Sequence, residues 1–273
     1  MKKNFFLLFI VFLLALGLNE FLLKENHQGL EEDKMNKGYD YVNKVENTKV
    51  VEDPTNQEYT NIIEDIASAS KEVEVKSEPV FSYTSLSNEH IEKIMGKSYQ
   101  SNNKIQLEDL AFLQITYWGF DDKEHLGELI VNKKVAEEVA EIFKELHKEK
   151  FPIDKIRLID EYDGQDDLSM ADNNSSAFCY REIADSNGKL SNHGYGIAID
   201  INPIQNPYVK NDTILPKEGE GYLDRNNIRK GMIVKGDPCY KAFKKRGWDW
   251  GGEWKSLKDF QHFEINSNDL YTD

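Results

Sequence analysis

Two segments near the C-terminal end hold the side chains best suited to chemistry. The first, SNHGYGIAID at residues 191–200, sets His193 in a loop of small and polar residues and ends on Asp200. Gly194 and Gly196 flank Tyr195, which suits a backbone that turns tightly or is closely approached. The run that follows alternates, with Ile197, Ile199 and Ile201 on one face of a predicted strand and Ala198, Asp200 and Asn202 on the other. Asp200 therefore shares its face with small and polar neighbours, opposite the isoleucines. A strand end and the loop before it can bring an imidazole and a carboxylate together, an arrangement that serves either a metal ion or a catalytic dyad.

The second segment is WDWGGEWKSLKDFQHFEIN at residues 248–266, in which Asp259 stands shortly before His262. His262 begins another alternating strand, with Phe263 and Ile265 on one side and His262 and Glu264 on the other. Together His193, Asp200 and His262 offer the three N/O ligands that a catalytic zinc site uses while keeping a fourth position open for water. Asp259 is then free to take a proton from a metal-acidified water as it attacks a carbonyl carbon. Arg181, in FCYREI on a predicted strand, offers positive charge to a developing oxyanion. Each residue also has a plainer reading. His193 could be a surface or hydrogen-bonded histidine, Asp200 a turn cap, Asp259 an N-cap or ion-pair partner, and Arg181 structural. Trp248, Trp250 and Trp254 suit packing, and a metal-free acid/base pair of Asp200 and Asp259 is a further arrangement. His27, His90, His125 and His147 lie in polar linker, helix or loop sequence and are given no ligand role.

SNHGYGIAIDINP resembles the Ser-x-His-x-x-Gly-x-Ala-x-Asp signature of the D-alanyl-D-alanine carboxypeptidase family of zinc peptidases, the VanY-like enzymes that cut bacterial cell-wall peptides. WDWGGEWKSLKDFQHFE is similar to that family's second signature, a Trp-Gly-Gly stretch followed by an acid, two residues and His-Phe-Glu. Ser191, His193, Gly196, Ala198 and Asp200 each occupy signature positions. The resemblance, within residues 177–264, implies one Zn2+ held by His193, Asp200 and His262. It also implies Asp259 as the catalytic base, an aspartate as in the endopeptidase-like branch, and Arg181 as an aid to the oxyanion. The implied substrates are peptidoglycan stem peptides, cut by a D,D-carboxypeptidase or an L-Ala-D-Glu-type endopeptidase at the outer face of the membrane. The alternative is a catalytically inactive wall-binding or assembly protein on the same fold. Against it stands the retention of Asp259 beside all three ligands, since a binder needs no spare acid.

The elements that must position these residues are legible in outline. Val135, Val139, Ile142, Phe143 and Leu146 form one apolar stripe, predicting a helix opened by Asn132 and ended before Pro152. LSNEHIEKIMGKSY and PCYKAFKKRG read as shorter helices, and LAFLQITYWGF, IDKIRLIDEY, SAFCYREI and HFEIN as strands. Helices and strands intermix without regular βαβ alternation, which predicts an α+β fold: a small, largely antiparallel sheet with flanking helices, in a single domain at residues 80–273. Residues 1–23 place Lys2 and Lys3 before an apolar run, as a signal peptide or a signal anchor that could tether the chain to a membrane. Residues 24–79 read as an acidic polar linker with too little apolar content to offset ordering. A formal charge of −15 argues against sequence-independent binding to nucleic acid or anionic lipid. Cys179 and Cys239 could pair in an exported chain, but their number does not decide it.

Overall fold

In the computed structural model, which describes residues 78–100, 104–181 and 189–266, the longest strands come from the most apolar runs. β1 (Phe81–Ser85), β2 (Leu110–Trp118) and β3 (Glu124–Asn132) form an antiparallel sheet in that order. Both faces of β2 are covered, which is why its sequence reads as continuous rather than half-polar. Ala111, Leu113, Ile115 and Tyr117 enter the main core, while Leu110 and Phe112 enter a second cluster with Ile94, Ile130 and Phe178. Between β1 and β2 lies α1 (Asn88–Ile94), where Ser87 and His90 form a reciprocal cap and Gly96, at φ +78°, follows the helix end.

α2 (Ala136–Lys148) buries the expected stripe of Val139, Ile142, Phe143 and Leu146 against β2. It starts later than the sequence suggests. Asn132 closes β3 instead of capping the helix, its N–H bonded to Gly196 O at 2.7 Å and its Oδ1 accepting from Lys134 N–H at 3.1 Å. Two predicted strands are mostly not strands. IDKIRLIDEY supplies only β4 (Lys155–Ile156) before a 3-10 turn, Ile159–Tyr162, and α3 (Asp166–Ala171) follows. The stretch around SAFCYREI begins with β5 (Asn174–Ser175), parallel to β4, and Ala177–Arg181 then runs without regular pairing. Their apolar residues fill the core between elements, so burial without a ladder accounts for the strand-like pattern.

The remaining strands are short. β6 (Ala198–Asp200), β9 (Asp249–Trp250) and β11 (His262–Glu264) form an antiparallel sheet in the order β6-β11-β9. A third antiparallel sheet runs β10-β7-β8, from β7 (Tyr208–Lys210), β8 (Thr213–Leu215) and β10 (Lys258–Asp259). The α+β class therefore holds, with the antiparallel pairing divided among three small sheets. α4 (Pro238–Lys244), capped by Asp237 Oδ1 on Tyr240 N–H at 2.7 Å, packs Cys239, Ala242 and Phe243 into the main core, beside α2 and Phe263. Cys179 and Cys239 are both buried free thiols, so the disulfide left open by the sequence is not formed. Among the described residues no helix is long and apolar enough to cross a membrane. The expected signal segment and nearly all of the expected linker lie outside the described residues.

Candidate metal centre

Three local features aim the imidazoles and the carboxylate at one point. Ser191 caps a 3-10 turn, Asn192–Tyr195, its Oγ accepting from His193 N–H at 3.3 Å. Gly196 ends that turn at φ +69°, and a Cβ there would lie 2.5 Å from Asn132 N, so only glycine lets the turn dock on the end of β3. The β6–β11 register sets His262 directly opposite Asp200 and Phe263 opposite Ile199. One face of this ladder thus carries the polar pair and the other enters the core.

His193 Nε2 lies 3.1 Å from His262 Nδ1 and 3.1 Å from Asp200 Oδ2, and His262 Nδ1 lies 2.9 Å from Asp200 Oδ1. All three residues are buried, at 1 %, 2 % and 6 % exposure for His193, Asp200 and His262. The outer nitrogens decide which atoms face inward. His193 Nδ1 is 2.7 Å from Ala177 O, and His262 Nε2 is 2.9 Å from Glu264 Oε2. Both oxygens only accept, so these outer nitrogens carry the protons, and in neutral rings the inner nitrogens present lone pairs. Two lone pairs and a carboxylate then converge with no donor between them, which is unfavourable unless a cation or an extra proton intervenes.

A tetrahedral zinc with ligands at about 2.0–2.1 Å would space its ligand atoms roughly 3.3 Å apart, a few tenths of an ångström wider than the triangle seen. The three residues therefore fit the ion with little rearrangement, each offering one atom within 4.8 Å of the others. Burial opposes charge on His262, but hydrogen bonds to Asp200 and Glu264 and the nearby carboxylates outweigh it and lift the ring to about 10. Burial would likewise raise Asp200, yet the charge of His193 and hydrogen bonds from both rings hold it well below the usual carboxylate range.

Asp259 and Arg181 border the triangle. Asp259 sits in β10, opposite Tyr208, with Gly251 packed so closely that a Cβ there would lie 2.5 Å from Asp259 O. Its Oδ1 is buried without a hydrogen-bond partner among the described residues. Burial lifts Asp259 to about 7, with His262 drawing it down and the charge of Asp200 pushing it up. Arg181 is not on a strand. Its Nη1 pairs with Asp166 at the start of α3, and its Nη2 lies 3.6 Å from Asp200 Oδ2. Burial would lower the guanidinium's pKa, but Asp166 and Asp200 raise it. Trp254, expected among the packing residues, has its ring centroid 5.3 Å from that of His262.

Three residues at the centre escaped the sequence reading as participants. Glu264 and the Ala177 carbonyl hold the outer ring nitrogens, and Asp166 holds Arg181. Only Glu264 carried a signal, since it shares His262's face of a strand with period two. The histidines set aside do other work. His90 completes the α1 cap, while His125 pairs with Asp121 at 2.8 Å and His147 with Glu124 at 2.9 Å. His27 lies outside the described residues.

Residues 184–265 match the family model described as D-alanyl-D-alanine carboxypeptidase, a span holding His193, Asp200, Asp259, His262 and Glu264 but not Arg181. The resemblance read from the two signatures is thus found by the family model as well, and it supports a peptidase. No solved structure matches the chain.

Proposed function

We propose that this chain is a zinc-dependent peptidase that hydrolyses an amide bond in peptidoglycan stem peptides outside the cytoplasm. The observation that carries the reading is the convergence of three buried acceptor atoms, His193 Nε2, His262 Nδ1 and an Asp200 oxygen, inside the span that matches a carboxypeptidase family. A zinc ion held by these residues supplies Lewis acidity, lowering the pKa of a coordinated water to about 7 and polarising a carbonyl. Asp259 is the base. Its buried, unpartnered Oδ1 has a lone pair available for a proton, beside the three residues that would hold the ion. The same carboxyl then returns the proton to the leaving amine. Arg181, held by Asp166 and 3.6 Å from Asp200 Oδ2, brings fixed positive charge to the site, where it would favour a developing oxyanion.

Incubating the zinc-loaded protein with defined stem peptides, and following new amines by mass spectrometry, tests this reading. Cleavage at one amide bond, abolished by chelation and restored by zinc, is the expected result. Peptides bound but never cut would instead favour a wall-binding role, and cleavage indifferent to chelators would favour a metal-free acid/base pair.

A further inference from the structure

We propose that Glu264 is a positioning residue for the metal: one of its carboxylate oxygens orients the ring of His262 and ties β11 to the turn that carries His193. The inference rests on the zinc reading above. Glu264 Oε2 lies 2.9 Å from His262 Nε2 and 2.8 Å from Asn192 Nδ2. Asn192 is the residue immediately before His193, so a single oxygen joins the two ligand-bearing segments. Being an ionised acceptor, the carboxylate fixes the ring proton on Nε2 and turns the Nδ1 lone pair towards His193 and Asp200. It also makes Nδ1 a better donor to a cation, because a negative charge beyond the ring stabilises the charge the ring acquires on ligation.

His193 needs no such side chain, since the Ala177 carbonyl holds its outer nitrogen from the backbone at 2.7 Å. The two imidazoles are therefore anchored differently. His193 depends on the path of the chain, whereas His262 depends on a side chain that substitution can remove without disturbing the β6–β11 ladder. Glu264 is partly exposed and absent from the main core, so its loss leaves the packing of Phe263 intact.

The test is zinc affinity of the full chain, measured by competition with a chelator of known strength, with no substrate present. Loss of an outer-shell partner of this kind typically weakens metal binding about 10–100-fold, which is the change expected for Glu264→Ala. Glu264→Gln, whose amide oxygen can occupy the same point without charge, is expected to fall between the parent and Glu264→Ala. Asn192→Ala should weaken binding less than Glu264→Ala, because the His262 hydrogen bond survives. Nitrogen-detected spectra of the histidine rings supply a readout that general destabilisation would not move. The parent shows His262 protonated at Nε2 and metal-bound at Nδ1, and Glu264→Ala shows mixed ring states.

A Glu264→Ala protein with the parent's zinc affinity and an unchanged His262 spectrum overturns the proposal. If that variant does not fold, Glu264→Gln decides, and affinity equal to the parent's overturns it. A parent chain that binds no zinc refutes the metal reading itself, which separates the two failures.

Discussion

Replacing Asp259 by asparagine keeps the shape of the side chain and removes its charge, and the two consequences run in opposite directions. In the folded, metal-free chain Asp259 is lifted by burial to about 7, against an ordinary 3.8. A carboxyl whose folded pKa lies above its unfolded value holds its proton more tightly when folded. The parent therefore loses stability as pH climbs from about 4 to about 7 and stays at the lower level above that. The whole shift corresponds to about 4 kcal/mol. Asp259 is only half-buried as a residue, so solvent screening reduces this to about 1–2 kcal/mol. Urea unfolding of parent and Asp259→Asn in chelator should show the variant more stable by that amount at pH 8 and equal to the parent at pH 4. With zinc restored, the same variant should lose about 10²–10⁴-fold in kcat on stem peptides, the usual worth of a general base. Equal unfolding midpoints at pH 8, together with turnover within threefold of the parent, would refute both the burial argument and the base assignment.

Other perturbations probe the supports of the site. Gly196→Ala forces a Cβ against Asn132 N in a left-handed conformation, and should cost more than about 2 kcal/mol in thermal unfolding while weakening zinc binding, since it displaces the His193 turn. Arg181→Met should lower kcat about 10²–10³-fold, the worth of an oxyanion donor, yet leave zinc affinity equal or tighter because a positive charge near Asp200 has gone. Glu145 is held at about 2 by a hydrogen bond from Arg246, with burial opposing and Lys245 assisting, and this clamps α2 to the end of α4. Its depressed pKa contributes stability above about pH 4.5 that is lost as pH falls towards 2. Glu145→Gln should therefore cost about 1 kcal/mol at pH 7 in thermal melts and nothing at pH 2.

The polar face of each strand was legible because a period of two needs no tertiary information. Asp200 and His262 each declare their side by the isoleucines or phenylalanine next to them. The apolar stripe of α2 was legible for the same reason, at the helical period. What failed depends on distant partners. Asn132 has the composition of a cap, but β3 is extended to it by pairing with Leu110 and its backbone is claimed by Gly196. The apolar residues of IDKIRLIDEY and SAFCYREI, among them Ile153, Ile156, Leu158, Ile159, Ala177 and Phe178, plug spaces between elements, and nothing local distinguishes that from a buried strand. Asp166 could not have been matched to Arg181 from spacing, since α3 reaches it only through the fold.

Zinc K-edge absorption of the stoichiometric complex reports whether two imidazoles and one carboxylate share a single zinc ion. The expected shell is two imidazole nitrogens and light oxygen scatterers at about 2.0–2.1 Å, lost in Asp200→Ala and retained in Asp259→Asn. A sulfur scatterer at about 2.3 Å, implicating Cys179 or Cys239, or a spectrum with no imidazole contribution, would contradict it.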